Sequence, residues 1–303
     1  MNPIISVVIA ELFRMSRRKR LLLLASVYWV VVPLILLLVT PTLRSALTTV
    51  FSGSRVLLQT LASPFGLAAT GTGLGGYSSP SLYLVIVAIV ATAMIGDDTR
   101  FSTWKSTFVL QPRRGAVLAG KLIAGHLVVF SVLLGNLLGS LILGGLGTLW
   151  LGTTFAGAWG PLISKLLLQW LFLFAPLTFS YLVVFYIRST GLAVILILFL
   201  MPVAELIYQI LSSIVRFNPA SQLAQFFKHQ LVQPWWDALP DWFFTTNTFS
   251  PSREAFNPIL GMLGGGVQVT GRVGASHSTL VLAVYTVVFL LLLVPAFLRR
   301  DVP

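Results

Sequence analysis

The chain has 303 residues, of which 56% are hydrophobic and only 9% charged, with a formal net charge of +12 and no cysteine. A soluble domain carries about 25% charged residues. This composition, with a mean hydropathy of +0.92, therefore excludes a water-facing surface over the whole chain, and the missing cysteine excludes disulfides, thiolate metal sites and a cysteine nucleophile.

Residues 3–18 predict an interfacial helix. Ser6, Ala10, Arg14 and Arg17 recur at helical spacing, while Ile5, Ile9, Leu12, Phe13 and Met15 lie away from that line. A helix with one basic and one apolar face lies in the headgroup plane. It serves either to seat a partner or to anchor the topology. The basic residues before Leu21–Val39 imitate a signal peptide. The run exceeds an h-region of about 7–15 residues, and no small-x-small site follows it, so it reads as a retained span.

Six apolar runs, roughly 21–39, 81–96, 122–145, 162–187, 191–214 and 279–298, predict an all-α membrane protein with six transmembrane helices in a single domain, 1–303. The second run is short for a span and its boundary extends back toward Tyr77. The runs are continuous rather than alternating, which argues against a barrel. With the N-terminus in the cytoplasm, thirteen of the twenty Lys and Arg residues fall on the cytoplasmic side and seven outside. The positive-inside rule favours that orientation, with both termini cytoplasmic. The positive charge is then a topology signal and a match to anionic lipid headgroups, not a nucleic-acid footprint.

Residues 40–80 read as an outer loop. Gly71-Thr72-Gly73-Leu74-Gly75-Gly76 in that loop matches the dinucleotide pattern GxGxxG, but lacks the strand before it and the helix after it that the motif requires. A flexible loop is expected there. Gly115-Ala116-Val117-Leu118-Ala119-Gly120-Lys121-Leu122 nearly spells a phosphate-binding loop. Leu122 stands where the Mg²⁺ ligand belongs, and the chain runs straight into a span.

In the third span, Gly135 and Gly139 form a small-xxx-small pattern that suits close helix packing, with Asn136 placed to hydrogen-bond across it. In the fifth, Glu205 follows Pro202, which tends to kink the helix. A carboxyl in hydrocarbon is paired or functional, so Glu205 has either a role in substrate passage or gating or a structural hydrogen bond to another helix. Residues 215–278 form the largest outer loop. Asn218-Pro219 can start a helix there, and Trp235, Trp236, Trp242, Phe243 and Phe244 favour the membrane–water interface.

The segment 97–112 carries the functional signal. Asp97, Asp98 or Thr99 can cap a helix, and Phe101, Trp104 and Phe108 share one face, with Arg113 and Arg114 after Pro112. The aromatic face either enters a groove on a soluble partner or lies on the membrane as a connector. Phe101-Ser102-Thr103-Trp104-Lys105, Leu110-Gln111-Pro112 with Arg113 and Arg114, and then Leu118 and Lys121, resemble the first cytoplasmic loop of ABC-2 type transporter permeases. Ser102 stands where that family commonly has Gly, and Arg113-Arg114-Gly115 replaces a more usual small-polar-Arg ending. The leading interfacial helix, Asn218-Pro219 and the terminal Phe297-Leu298-Arg299-Arg300-Asp301 also look like that family.

The resemblance implies a transmembrane permease of the prokaryotic cytoplasmic membrane, working as an exporter. Its partners would be separate cytoplasmic ABC ATPase subunits, which would hold the ATP and Mg²⁺, and a second permease copy or paralogue. Residues 97–112 would be the coupling helix, with Phe101, Thr103, Trp104, Lys105 and Phe108 making the contact and Arg113 and Arg114 at its rim. The turn near Arg188 would be a lesser contact. No cofactor is expected in this chain. An intramembrane enzyme is disfavoured, since His126, His229 and His277 form no HExxH and there is no GxSxG. A non-catalytic anchoring subunit of a larger membrane complex is the alternative. A secondary transporter would show an internal repeat and broken helices at the midplane, and no repeat is evident.

Overall fold

The computed structural model describes residues 2–38, 61–77, 81–100, 108, 113–187, 189–217, 236, 238–255 and 273–299. All regular structure among them is helical. Lipid offers the backbone no hydrogen-bond partners, so helices that satisfy themselves are the natural solution for so apolar a chain.

Helix α1 (Pro3–Ser16) starts with the Asn2 side chain accepting from the Ile4 amide and proline in its first turn. Helix α2 (Lys19–Ser26) runs on through a π-helical turn, Val27–Val31, to residue 38. Helices α3 (Pro64–Tyr77) and α4 (Leu82–Ala91) follow, and α4 passes through a second π-turn, Thr92–Gly96, into Asp97–Arg100. Helix α5 (Arg114–Leu151) has 38 residues, about 57 Å at 1.5 Å per residue, well beyond a hydrocarbon core of about 30 Å. It ends on Gly152 at φ 65°, where a left-handed residue closes the last turn and a side chain would be strained.

Helices α6 (Trp159–Phe172) and α7 (Phe174–Tyr186) are two halves of one rod, interrupted at Leu173 just before Pro176. Helices α8 (Thr190–Leu200) and α9 (Val203–Phe217) are likewise interrupted at Met201 and Pro202, as the proline predicts. A 3₁₀ turn (Leu239–Trp242), α10 (Phe244–Thr248) and a further turn over 250–255 precede α11 (Ala275–Arg299). Four stretches are long and apolar enough to cross a membrane: Arg114–Leu149, Trp159–Tyr186, Thr190–Ser212 and Ala275–Arg299. Val27–Leu38 and Leu82–Gly96 are shorter apolar helices. The chain is a helical membrane protein, with large apolar side chains such as Ile142, Leu149, Val284 and Leu291 exposed on the outer faces of its helices.

The reading of 71–76 as a flexible loop is corrected. These residues lie inside α3, buried against α5. Glycine is a poor helix former in water, but in a bundle small residues let two backbones approach, and the main chain must still be satisfied. The segment from α3 to α4 descends antiparallel to α5. Pro64 packs on Gly144, Gly71 on Asn136 and Val90 beside Gly125, and the carbonyl of Met94 meets Lys121. Trp29 crosses the same helix lower down. Its ring and carbonyl rest on Gly135 and Gly139, and its Nε1 donates to the Val132 carbonyl at 2.7 Å.

The stretch 215–278 is also more than a loop where it is described. Gln169 of α6, fully buried, donates from Nε2 to the Thr248 carbonyl at 2.9 Å and accepts from the Ser252 amide at 3.2 Å. One amide thus seats the helical turns around 244–255 inside the bundle. Asn218 and Pro219 lie outside the described residues.

Candidate functional site

The densest polar chemistry lies where α1, the end of α4 and the start of α5 meet. Lys121 is 0% exposed. Its ammonium has three protons to place, and three acceptors receive them: Glu11 Oε1 at 2.5 Å, Asp98 Oδ2 at 2.6 Å and the Met94 carbonyl at 3.0 Å. Arg14 completes a square. It pairs with Asp98 Oδ1 at 2.5 Å and with Glu11 Oε2 at 2.6 Å. Two cations and two anions sit together, Lys121 and Asp98 buried and the Arg14 side chain 32% exposed, so the group is neutral as a whole. That is the condition under which buried charges are tolerable.

The backbone contributes as well. The π-turn Thr92–Gly96 widens the helix just above the carboxylates. Arg14 reaches the Met94 carbonyl there at 3.3 Å. Such wide turns recur at functional positions in helices. On the far side, the Tyr181 hydroxyl of α7 donates to the Lys121 carbonyl at 2.8 Å. Arg18 pairs with Asp97 next to the square. Burial alone would raise the Asp98 carboxyl, but the charges of Lys121 and Arg14 and the hydrogen bonds from both outweigh it and hold it below the usual carboxylate value.

Helix α1 turns its charged residues toward this site. Glu11 and Met15 are buried, and Arg14 turns inward to Asp98, while Ile5, Ile9 and Phe13 are exposed. In a lipid surround the apolar face belongs outside, and the charges belong where they can pair.

The other end of the 97–112 segment is fixed too. Phe108 packs edge-on against Phe297 of α11 with ring centres 6.0 Å apart, and Phe297 meets Phe185 at 5.7 Å. The Arg114 guanidinium lies 5.1 Å over the Phe108 ring and donates to the Leu298 carbonyl at 2.9 Å. The resemblance implies an ATPase contact for Phe108; within this chain its ring packs on the end of α11. Arg113 is exposed at the start of α5, whereas Arg114 is half-buried. Phe101, Thr103, Trp104 and Lys105 lie outside the described residues, as does Arg188.

The remaining candidates have other neighbours. Asn136 is 1% exposed and lies over Gly71. Glu205 is half-buried and accepts a hydrogen bond from the Thr246 hydroxyl, which ties α9 to α10. Residues 115–122 are helical throughout, and the Lys121 ammonium is committed to carboxylates, so the phosphate-loop likeness has no structural counterpart.

Sequence reasoning noted Lys121 only through a motif and a resemblance, and passed over Glu11. The available signal was a lysine entering an apolar run, together with a lone glutamate three residues before Arg14 in an apolar helix. No family model matches the chain, and no curated protein does.

Proposed function

We propose that this chain is the transmembrane permease of an ATP-driven transporter of the ABC-2 type, working as an exporter. The charged end faces the prokaryotic cytoplasm, and Val27–Leu38 and Leu82–Gly96 complete six spans with the four longer ones. The ATPase is a separate subunit, which holds the ATP and Mg²⁺, and a second permease copy completes the assembly.

The observation that carries this reading is the double attachment of the 97–112 segment. Its start is bound to α1 and α5 through Asp97, Asp98, Arg18, Arg14 and Lys121. Later in the segment Phe108 packs on α11, and Arg114 of α5 lies over the same ring. A push on Asp98 or on Phe108 is delivered to α1 or to α11. A soluble motor needs an input of that kind to bias a two-state bundle. Phe101, Thr103, Trp104 and Lys105, between the two attachments, are the residues assigned to the motor.

The test is affinity purification of the tagged chain in mild detergent, with ATP hydrolysis assayed on the eluate. The expected result is a co-eluting ATPase that Trp104→Ala with Lys105→Ala releases while the chain stays folded. An eluate with no ATPase, or one whose ATPase is indifferent to both changes, overturns the assignment. Recovery of other membrane subunits in its place would favour an anchoring role.

A further inference from the structure

A second polar group lies away from the charged end, at the α3–α5 interface. Asn136 and Ser140 are one helical turn apart on α5, 1% and 0% exposed, and face α3, where Gly71 meets Asn136 and Pro64 meets Gly144. Thr70, also buried, adjoins Gly71. Asn136 Oδ1, Ser140 Oγ and Thr70 Oγ1 have no hydrogen-bond partner among the described residues.

The main chain here is already bonded to side chains. Tyr83 donates its hydroxyl to the Thr72 carbonyl at 2.7 Å, Ser81 donates to the Gly75 carbonyl at 2.7 Å, and Tyr28 points its hydroxyl at the Gly71 carbonyl. The place is a seam of oxygens in the interior of a membrane protein. Leaving a buried polar group unmet there is unfavourable.

We propose that this seam is a binding site for internal water, held between Thr70, Asn136 and Ser140. The donor–acceptor balance selects the ligand. The amide oxygen of Asn136 needs a donor. The hydroxyls of Ser140 and Thr70 each need an acceptor for a proton that no described residue takes. Water supplies both, and buried waters make about three such bonds. A monovalent cation could use the three oxygens but could accept neither hydroxyl proton, and no carboxylate is among the three groups. Gly71 keeps the seam open to the amide. A Cβ there would stand 2.9 Å from Asn136 Nδ2 and 3.1 Å from Oδ1.

The experiment is X-ray hydroxyl-radical labelling of the full chain in detergent, read by mass spectrometry, with thermal unfolding of the same samples. Residues beside bound water label despite being buried. The expected result is labelling of Tyr28 or Tyr83 well above that of the equally buried Tyr181, reduced severalfold by Asn136→Leu and by Ser140→Ala, with both variants melting lower than the parent. Labelling no higher than at Tyr181 overturns the proposal, as does an Asn136→Leu or Ser140→Ala chain that melts at or above the parent, since a dry orphaned group is better removed. A melting temperature higher in sodium chloride than in equimolar N-methylglucamine chloride, and lost in Asn136→Leu, would overturn water in favour of a cation.

Discussion

Arg114 donates a hydrogen bond to the carbonyl of Leu298 at 2.9 Å, across 184 residues of sequence. The first residue of the longest helix thereby closes the last turn of the final one. Carbonyls at a helix end lack partners within the helix, and a basic side chain there also meets the negative end of the helix dipole. Arg114→Ala should therefore fray the end of α11. Amide exchange over 290–299 is expected to rise severalfold while exchange over 275–285 is unchanged. Equal rates in both stretches would show that the cap holds nothing.

Removing one partner of the buried square should be far worse than removing a matched pair. Lys121→Met leaves Glu11 and Asp98 facing each other, and a broken buried pair costs about 3–5 kcal/mol. The combined Asp98→Asn, Lys121→Met chain should lose less than the sum of its single changes, because contacting residues couple. Chemical or thermal unfolding of the four chains in detergent gives the coupling energy, and simple additivity would contradict the geometry.

Acid should loosen this end of the bundle first. The Asp98 carboxyl is held below its usual value in the folded chain. Above the unfolded value of about 3.9 its contribution is fully present. As pH falls from there through the lower folded value, the unfolded chain takes up the proton more readily and the contribution is lost. Stability should therefore rise with pH across the acid range, and Asp98→Asn should flatten that part of the profile. Melting temperature measured from pH 7 down to pH 3 for both chains is the check.

Gln169→Leu keeps the volume and deletes two hydrogen bonds, leaving the Thr248 carbonyl and the Ser252 amide unmet. Each such loss costs about 1–3 kcal/mol when buried. Limited proteolysis should then cut within 244–255 in the variant and spare that stretch in the parent.

The backbone of Trp29 leaves no room at Gly139. Gly139→Ala must move main chain rather than a side-chain tip, and overpacking of this sort costs about 1–3 kcal/mol. Gly115→Ala, which meets nothing within 4 Å, should be neutral or slightly stabilising. Unfolding of the two variants side by side separates crowding from helix propensity.

The long apolar helices were legible because hydrocarbon imposes a length and a composition, and α5, the α8–α9 stretch and α11 show both. The interruption at Pro202 was legible because proline cannot complete the ladder. Helix α3 was not, since its Gly-rich sequence reads as loop wherever water is the assumed solvent, and only the opposing glycine-lined face of α5 makes it a helix. The ion-paired square was illegible for another reason. Its members sit at positions 11, 14, 98 and 121, and no local spacing reports that α1 folds back beside α5. The pairing of Arg14 with Asp98 and the packing of Phe108 on Phe297 were illegible on the same account, since periodicity says which residues share a face but not what the face meets.

The order of synthesis gives the buried lysine a particular history. Asp98 precedes Lys121 by 23 residues and Glu11 precedes it by 110. Both carboxylates have therefore left the ribosome before the ammonium that neutralises them. During insertion they wait as an unbalanced acidic pair beside Arg14, and the arrival of Lys121 with the long helix α5 lets α1 settle against it. Truncated nascent chains ending before residue 121 should leave α1 open to protease, and longer ones should protect it.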